Sequence, residues 1–149
     1  MCVDEHYDLE ADVTDDPLID SFDSTGFEPY SVEPLMHGQE QQLLDFLQAE
    51  FPGRWLEEIK DFLGSGGNPS ELMVLRPRGG AVCGFCKIAV QPGGRSGLGP
   101  IGIAAGVRGR RLGELLLQRS LLQLRALGAH TVCIDWTILK EYYGKFGFL

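Results

Sequence analysis

Basic side chains are scarce in this chain of 149 residues, where 13 lysines and arginines face 21 acids and the formal net charge is −8. The first 28 residues contain no lysine or arginine; their ten acids, from Asp4 to Glu28, carry −10, and residues 29–149 carry +2. Such a balance excludes a nucleic-acid face, which rests on clustered positive charge. A secretory signal is excluded as well, because the chain lacks a basic start followed by an apolar run. No stretch approaches the roughly 18–20 consecutive apolar residues of a membrane-spanning helix. A cytoplasmic protein with no membrane and no nucleic-acid partner is the expectation. Gly-Lys-Ser/Thr is missing too, which excludes a Walker A phosphate loop.

Cysteine is sparse, with only Cys2, Cys83, Cys86 and Cys133. Cys83 and Cys86 form a CxxC, but a redox CxxC opens a helix and a zinc site needs a second ligand pair. Ala81–Val90 instead has the look of a strand, on which residues three apart point to opposite faces. These thiols are therefore expected to be structural, in a reducing compartment and without metal.

What is present suits one folded domain, with 44% apolar residues and enough length to bury a core. The acidic leader, 1–28, is expected to be disordered or to end an upstream domain, with the domain itself over 29–149. Tyr30–Leu35 alternates like a strand. Gln39–Phe51 and Arg54–Leu63 carry apolar residues at helical spacing, and the breakers Gly64-Ser-Gly-Gly-Asn-Pro69 follow. Glu71–Arg76 and Ala81–Val90 form a hairpin about Pro77-Arg-Gly-Gly80. Leu98–Ala105 is a strand, Arg108–Leu127 a long leucine-rich helix, His130–Thr137 a strand and Ile138–Phe146 a closing helix. The order predicts an α/β fold on a mixed sheet, its last strand–helix–strand step a parallel crossover.

Chemistry concentrates at two places. Gly97-Leu-Gly99-Pro-Ile-Gly102 fits GxGxxG only formally, since it precedes a strand rather than opening a helix. Val107-Arg-Gly-Arg-Arg-Leu-Gly113 follows a strand at a helix start, where unpaired backbone amides and the helix dipole attract anions. The segment 108–125 holds five arginines against Glu114, a net +4 suited to a small anion site. A solvated basic helix start with a glycine turn fits the same residues. The second place is Tyr143-Gly-Lys-Phe-Gly-Phe148, one crossover away, where Tyr143 is either an aromatic packing residue or a hydroxyl facing the anion.

Together these segments resemble the GNAT superfamily of acetyl-CoA-dependent N-acetyltransferases. Arg108-Gly-Arg-Arg-Leu-Gly113 is similar to the family's R/Q-x-x-G-x-G/A, with Arg111 in place of the middle glycine. Ile101-Gly-Ile103-Ala-Ala-Gly-Val-Arg108 is similar to its V-x-P-x-x-R, with Ala105 for the proline. Gly80-Ala-Val-Cys-Gly-Phe85 looks like its third strand, and Tyr143–Phe148 resembles its Y-E-K-L-G-F. The resemblance covers about 30–149. It implies a mostly antiparallel sheet with helices on both faces and a splayed central strand pair, opened by a bulge that Gly102 or Gly106 would permit.

The resemblance also implies roles. The amides of Arg108, Gly109, Arg110, Arg111, Leu112 and Gly113 would hold the coenzyme A diphosphate, and the edge at Ile101 and Ile103 would pair with the pantetheine arm. Tyr143 would be the general acid, and Asp135, acting through water, the general base, although a sheet-end carboxylate without a catalytic role fits Asp135 equally. Acetyl-CoA would be the cosubstrate and a small-molecule amine the acceptor. Trp136 stands where many members have an asparagine. Because the family fold continues past the final Gly-Phe, the domain is expected to be C-terminally incomplete, with a tandem domain or homodimer partner completing the sheet. A non-catalytic acyl-CoA-binding module, one half of a tandem protein, is the alternative function.

Overall fold

Successive side chains of a strand point to opposite sides, so a continuous apolar run is buried only where both faces of the sheet are covered. Leu72-Met-Val-Leu75 is such a run, and in the computed structural model all four side chains are buried. Leu72 and Val74 join one apolar cluster, Met73 and Leu75 another. The structure describes residues 7–14, 17–91, 94–137, 143 and 145–149, with the side chains of residues 7, 8 and 135–137 outside that description.

The described strands are β1 (Tyr7–Asp12), β2 (Tyr30–Pro34), β3 (Leu72–Pro77), β4 (Gly84–Ala89), β5 (Arg95–Ile103) and β6 (Thr131–Thr137). The α-helices are α1 (Pro17–Asp20), α2 (Glu40–Glu50), α3 (Arg54–Gly64) and α4 (Leu112–Ala126). The six strands form one sheet in the order β1-β6-β5-β4-β3-β2, antiparallel throughout except for the parallel pair β5 and β6. One face packs on Leu43, Phe46 and Leu47 of α2 and Leu56 and Ile59 of α3. The other packs on α4, whose leucines at 112, 115, 116, 117, 121 and 124 are all buried. Helices on both faces and a mostly antiparallel sheet are therefore as the sequence predicts.

The acidic leader departs from expectation. Rather than standing apart from the domain, Tyr7–Asp12 form β1 and pair with β6. Leu9, Ala11 and Val13 point inward and are buried, while Glu10 and Asp12 between them are exposed. The acids thus occupy the solvent side of a period-2 pattern whose other side is core. Beyond β1, the Ile19 side chain is fully buried, Asp20 pairs with Arg125 at 2.8 Å and the Arg125 Nε donates to Val13 O at 2.7 Å. The edge of the strand at 131–137, expected to be open, is covered by β1. On β1's far side, Glu10 and Leu149 exchange two backbone hydrogen bonds of 3.0 Å.

Two boundaries also move. The long helix begins at Leu112 rather than Arg108, because Ala105–Val107 form a 3-10 turn and Arg111 takes a left-handed conformation. Of the predicted closing helix, residues 138–142 and 144 lie outside the described residues; Tyr143 is helical and 145–147 form a turn. Cys83, Cys86 and Cys133 are free thiols. Among the described residues no helix is long and apolar enough to cross a membrane, and no group of His, Cys, Asp and Glu is arranged to hold a metal.

Candidate active site

The site forms where β5 and β6 part. Their parallel ladder comprises Arg95–Thr131, Ser96–Val132 and Gly97–Cys133, after which β5 continues to Ile103 and β6 to Thr137 without further pairs. On β5's other side the register to β4 shifts between Leu98–Ile88 and Ile101–Cys86, so Gly99 and Pro100 together face Lys87. This is a β-bulge, which bends the strand that carries it. Its location has a local cause: Pro100 has no N–H to give a ladder, and Gly99 sits at φ +121°, a conformation open mainly to glycine. The bulge therefore lies at Gly99-Pro100, not at Gly102 or Gly106.

Past the bulge, the peptide groups of β5 divide between its two sides. Ala104 N donates to Cys83 O at 2.8 Å, toward β4. With Gly102 opposite Phe85 in the same register, alternation turns the peptide groups of Ile101 and Ile103 to the open side. The Nε of Arg108 reaches Ile103 O there at 3.2 Å. An added extended chain would find its partners along this edge.

Helix α4 points its N-terminus into the same opening. Gly109 is at φ +83° and Arg111 at φ +60°, the one non-glycine residue with positive φ among the described residues. Arg111 stands where the resembling pattern has glycine, and it keeps the left-handed backbone that glycine would supply. Leu115 N donates to Arg111 O at 3.3 Å. The amides of Gly109 to Gly113 have no backbone acceptor among the described residues and form the free donor end of the helix.

The arginines are less available than their number suggests. Arg125 is bound to Asp20, Arg119 donates to Ser24 Oγ at 3.3 Å, Arg110 to Tyr30 Oη at 3.3 Å and Arg111 to Glu114. The donors this turn leaves open are accordingly those of the backbone first.

A cleft of about 390 Å³ joins these parts. Its walls include Ile101 to Ile103, Val107 to Gly109, Arg111 to Glu114 and Tyr143. Tyr143 is 3% exposed and packs edge-on against Phe148, ring centroids 6.1 Å apart. Burial, with a smaller contribution from Cys86, pushes its hydroxyl well above the usual tyrosine range.

Of the residues singled out from sequence, Ile101, Ile103, Arg108, Gly109, Arg111, Leu112, Gly113 and Tyr143 line this one cleft. Arg110 does not, being turned toward Tyr30. Asp135 lies on β6 beyond its last ladder pair with β5, and its side chain is outside the described residues. Sequence reasoning missed Phe51 and Trp55, whose rings, 4.9 Å apart, close the cleft over Gly102. A Cβ on Gly102 would lie 2.8 Å from Phe51 and 3.0 Å from Trp55. A glycine within a strand was the available signal of that close approach. Glu114 was missed too, 31 positions from the lysine it holds.

The model of the acetyltransferase (GNAT) family matches residues 40–148. No curated protein matches the sequence. Among solved structures, a GCN5-related glucosamine N-acetyltransferase region of a fungal multi-domain GH3 β-N-acetylglucosaminidase superposes with TM-score 0.85 at 20% identity, over 97% of this chain and 19% of that one. A GCN5-related N-acetyltransferase from Sphaerobacter thermophilus gives 0.75 at 15% identity, over 97% and 47%. A GNAT family acetyltransferase from Brucella melitensis in complex with acetyl-CoA gives 0.60 at 17% identity, over 79% and 81%. The chain thus spans about a fifth of the first of these proteins and under half of the second. At such identities the likeness is one of fold.

Proposed function

Because the chain belongs to the acetyltransferase (GNAT) family, we propose that it moves an acetyl group from acetyl-CoA to a primary amine of a small molecule by direct attack. The observation that carries the proposal is the meeting, in one cleft, of an open strand edge, a free helix N-terminus and a buried tyrosine hydroxyl.

The residues fit the coenzyme. The amides of Gly109 to Gly113 would hold its diphosphate, where donors and helix dipole act together. The peptide groups of Ile101 and Ile103 would pair with the amides of the pantetheine arm as with an added strand. When bound, the coenzyme supplies an acyl group activated as a thioester. Holding both reactants in this cleft would lower the barrier by up to roughly 7–11 kcal/mol in well-oriented cases.

An amine is protonated near neutral pH, so attack first requires a base, for which Asp135 through water is our candidate. Tyr143 would keep its proton on Oη at every working pH, since burial favours the neutral phenol. On acyl transfer Tyr143 would give that proton to the coenzyme's thiolate leaving group and recover one from solvent. The likeness to a structure described as a glucosamine N-acetyltransferase region supports a small amine as acceptor.

Calorimetry with acetyl-CoA, followed by turnover across an amine panel, tests the proposal. Saturable binding is expected. Tyr143→Phe should lower kcat by roughly 10²-fold, the lower end for a lost general acid, while the KM for acetyl-CoA stays within about twofold. No binding at millimolar acetyl-CoA refutes the function, and binding without turnover favours the non-catalytic module instead.

A further inference from the structure

Glu114 is in the first turn of α4, lines the cleft and is only 9% exposed. Its two oxygens are divided between the two parts of the site. Oε2 accepts from Arg111 Nε at 2.9 Å and Nη2 at 2.7 Å, and Oε1 accepts from Lys145 Nζ at 2.8 Å. Arg111 belongs to the turn that opens α4. Lys145 stands two residues beyond Tyr143, within the turn that Phe146 N closes by donating to Tyr143 O at 3.0 Å.

A first-turn acid favours the dipole of its helix, but that role needs neither burial nor a partner 31 positions away. A carboxylate here also opposes anion binding at the neighbouring amides, so coenzyme affinity gives no reason for one. Lys145, and after it Arg111, hold the Glu114 carboxyl below its usual range, which keeps the bridge ionised. The Arg111 and Lys145 side chains are 67% and 59% exposed, so the buried member of the bridge is the carboxylate, and losing either donor takes a charge-assisted hydrogen bond from it.

We infer that Glu114 is a positioning residue for Tyr143, fixing the segment that carries the hydroxyl against the turn that would hold the coenzyme. It acts through Lys145 on one side and Arg111 on the other. The inference rests on the acyl-transfer reading for its consequence in catalysis, though not for the tie itself.

A double-mutant cycle of Glu114→Gln and Lys145→Met separates the two. Amide exchange at Phe146 reads the tie, and kcat and KM for acetyl-CoA read its use. Each single variant should speed Phe146 exchange about tenfold, with the double variant no faster than either, the mark of one shared interaction. The kcat should fall by about tenfold while the KM for acetyl-CoA does not rise. Unchanged Phe146 exchange, additive effects, or a KM that rises while kcat holds would overturn the inference. If the unaltered protein acetylates no amine, the proposed function fails, and the exchange cycle still decides for or against the tie.

Discussion

Deleting residues 1–13 removes β1 and uncovers the outer edge of β6. Leu9 and Val13, 3% and 0% exposed, each contribute about 1.5–3 kcal/mol through burial, and Ala11 somewhat less. The loss is then about 4–7 kcal/mol, an upper figure because an unfolded chain already buries part of that surface. Domains of this size are stable by only about 5–15 kcal/mol. With a urea slope of roughly 1–3 kcal/mol/M, the unfolding midpoint should fall by more than about 1 M, or the cooperative transition should vanish. If the exposed edge drives aggregation, the point variant Leu9→Ala carries the same test, with an expected loss of about 2–5 kcal/mol. A disordered leader predicts no change in either case. Midpoints equal to that of the unaltered protein would refute the assignment of β1 to the core.

Two further outcomes follow from buried groups. Burial pushes the Cys86 thiol from 9.0 to about 12, so its contribution to stability is complete below pH 9 and is lost as pH rises from there toward 12. That window is worth about 4 kcal/mol; urea midpoints measured from pH 8 to 11 should fall, and fall less steeply in Cys86→Ala. Gly102→Ala sets a methyl against the Phe51 and Trp55 rings. Overpacking of this kind costs about 1–3 kcal/mol, to be read as a lower Tm, and a Tm unchanged within error would mean the rings yield freely.

Most of the fold was legible because its signals are local. The apolar spacing of Leu43, Leu44, Phe46 and Leu47 and of Trp55, Ile59, Phe62 and Leu63 predicts α2 and α3, and the leucines of α4 predict a helix lying against the sheet. β1 was hidden by its charge. Leu9, Ala11 and Val13 alternate strictly, but the acids between them dominate the composition. The residues that meet in the cleft were legible through Arg108–Gly113 and Tyr143–Phe148, again short segments with fixed spacing. What escaped depends on three-dimensional approach: Phe51 and Trp55 reach Gly102 from another layer, and Glu114 meets Lys145 only once the sheet has formed. The bulge was placed wrongly because a proline within a strand counts for more than a glycine near its end.

The pairing of β1 with β6 also has a consequence in time. Asp12 lies opposite Thr131, so β1 has a partner made more than a hundred residues later. At about 5–20 residues per second, that interval lasts roughly 6–24 s. Throughout it Leu9, Ala11 and Val13 have no sheet to join, and the acids that alternate with them keep the nascent strand hydrated and mutually repelling. The acids of β1 thus act on the unfolded chain as well as on the folded one, keeping the strand hydrated until β6 can pair with it.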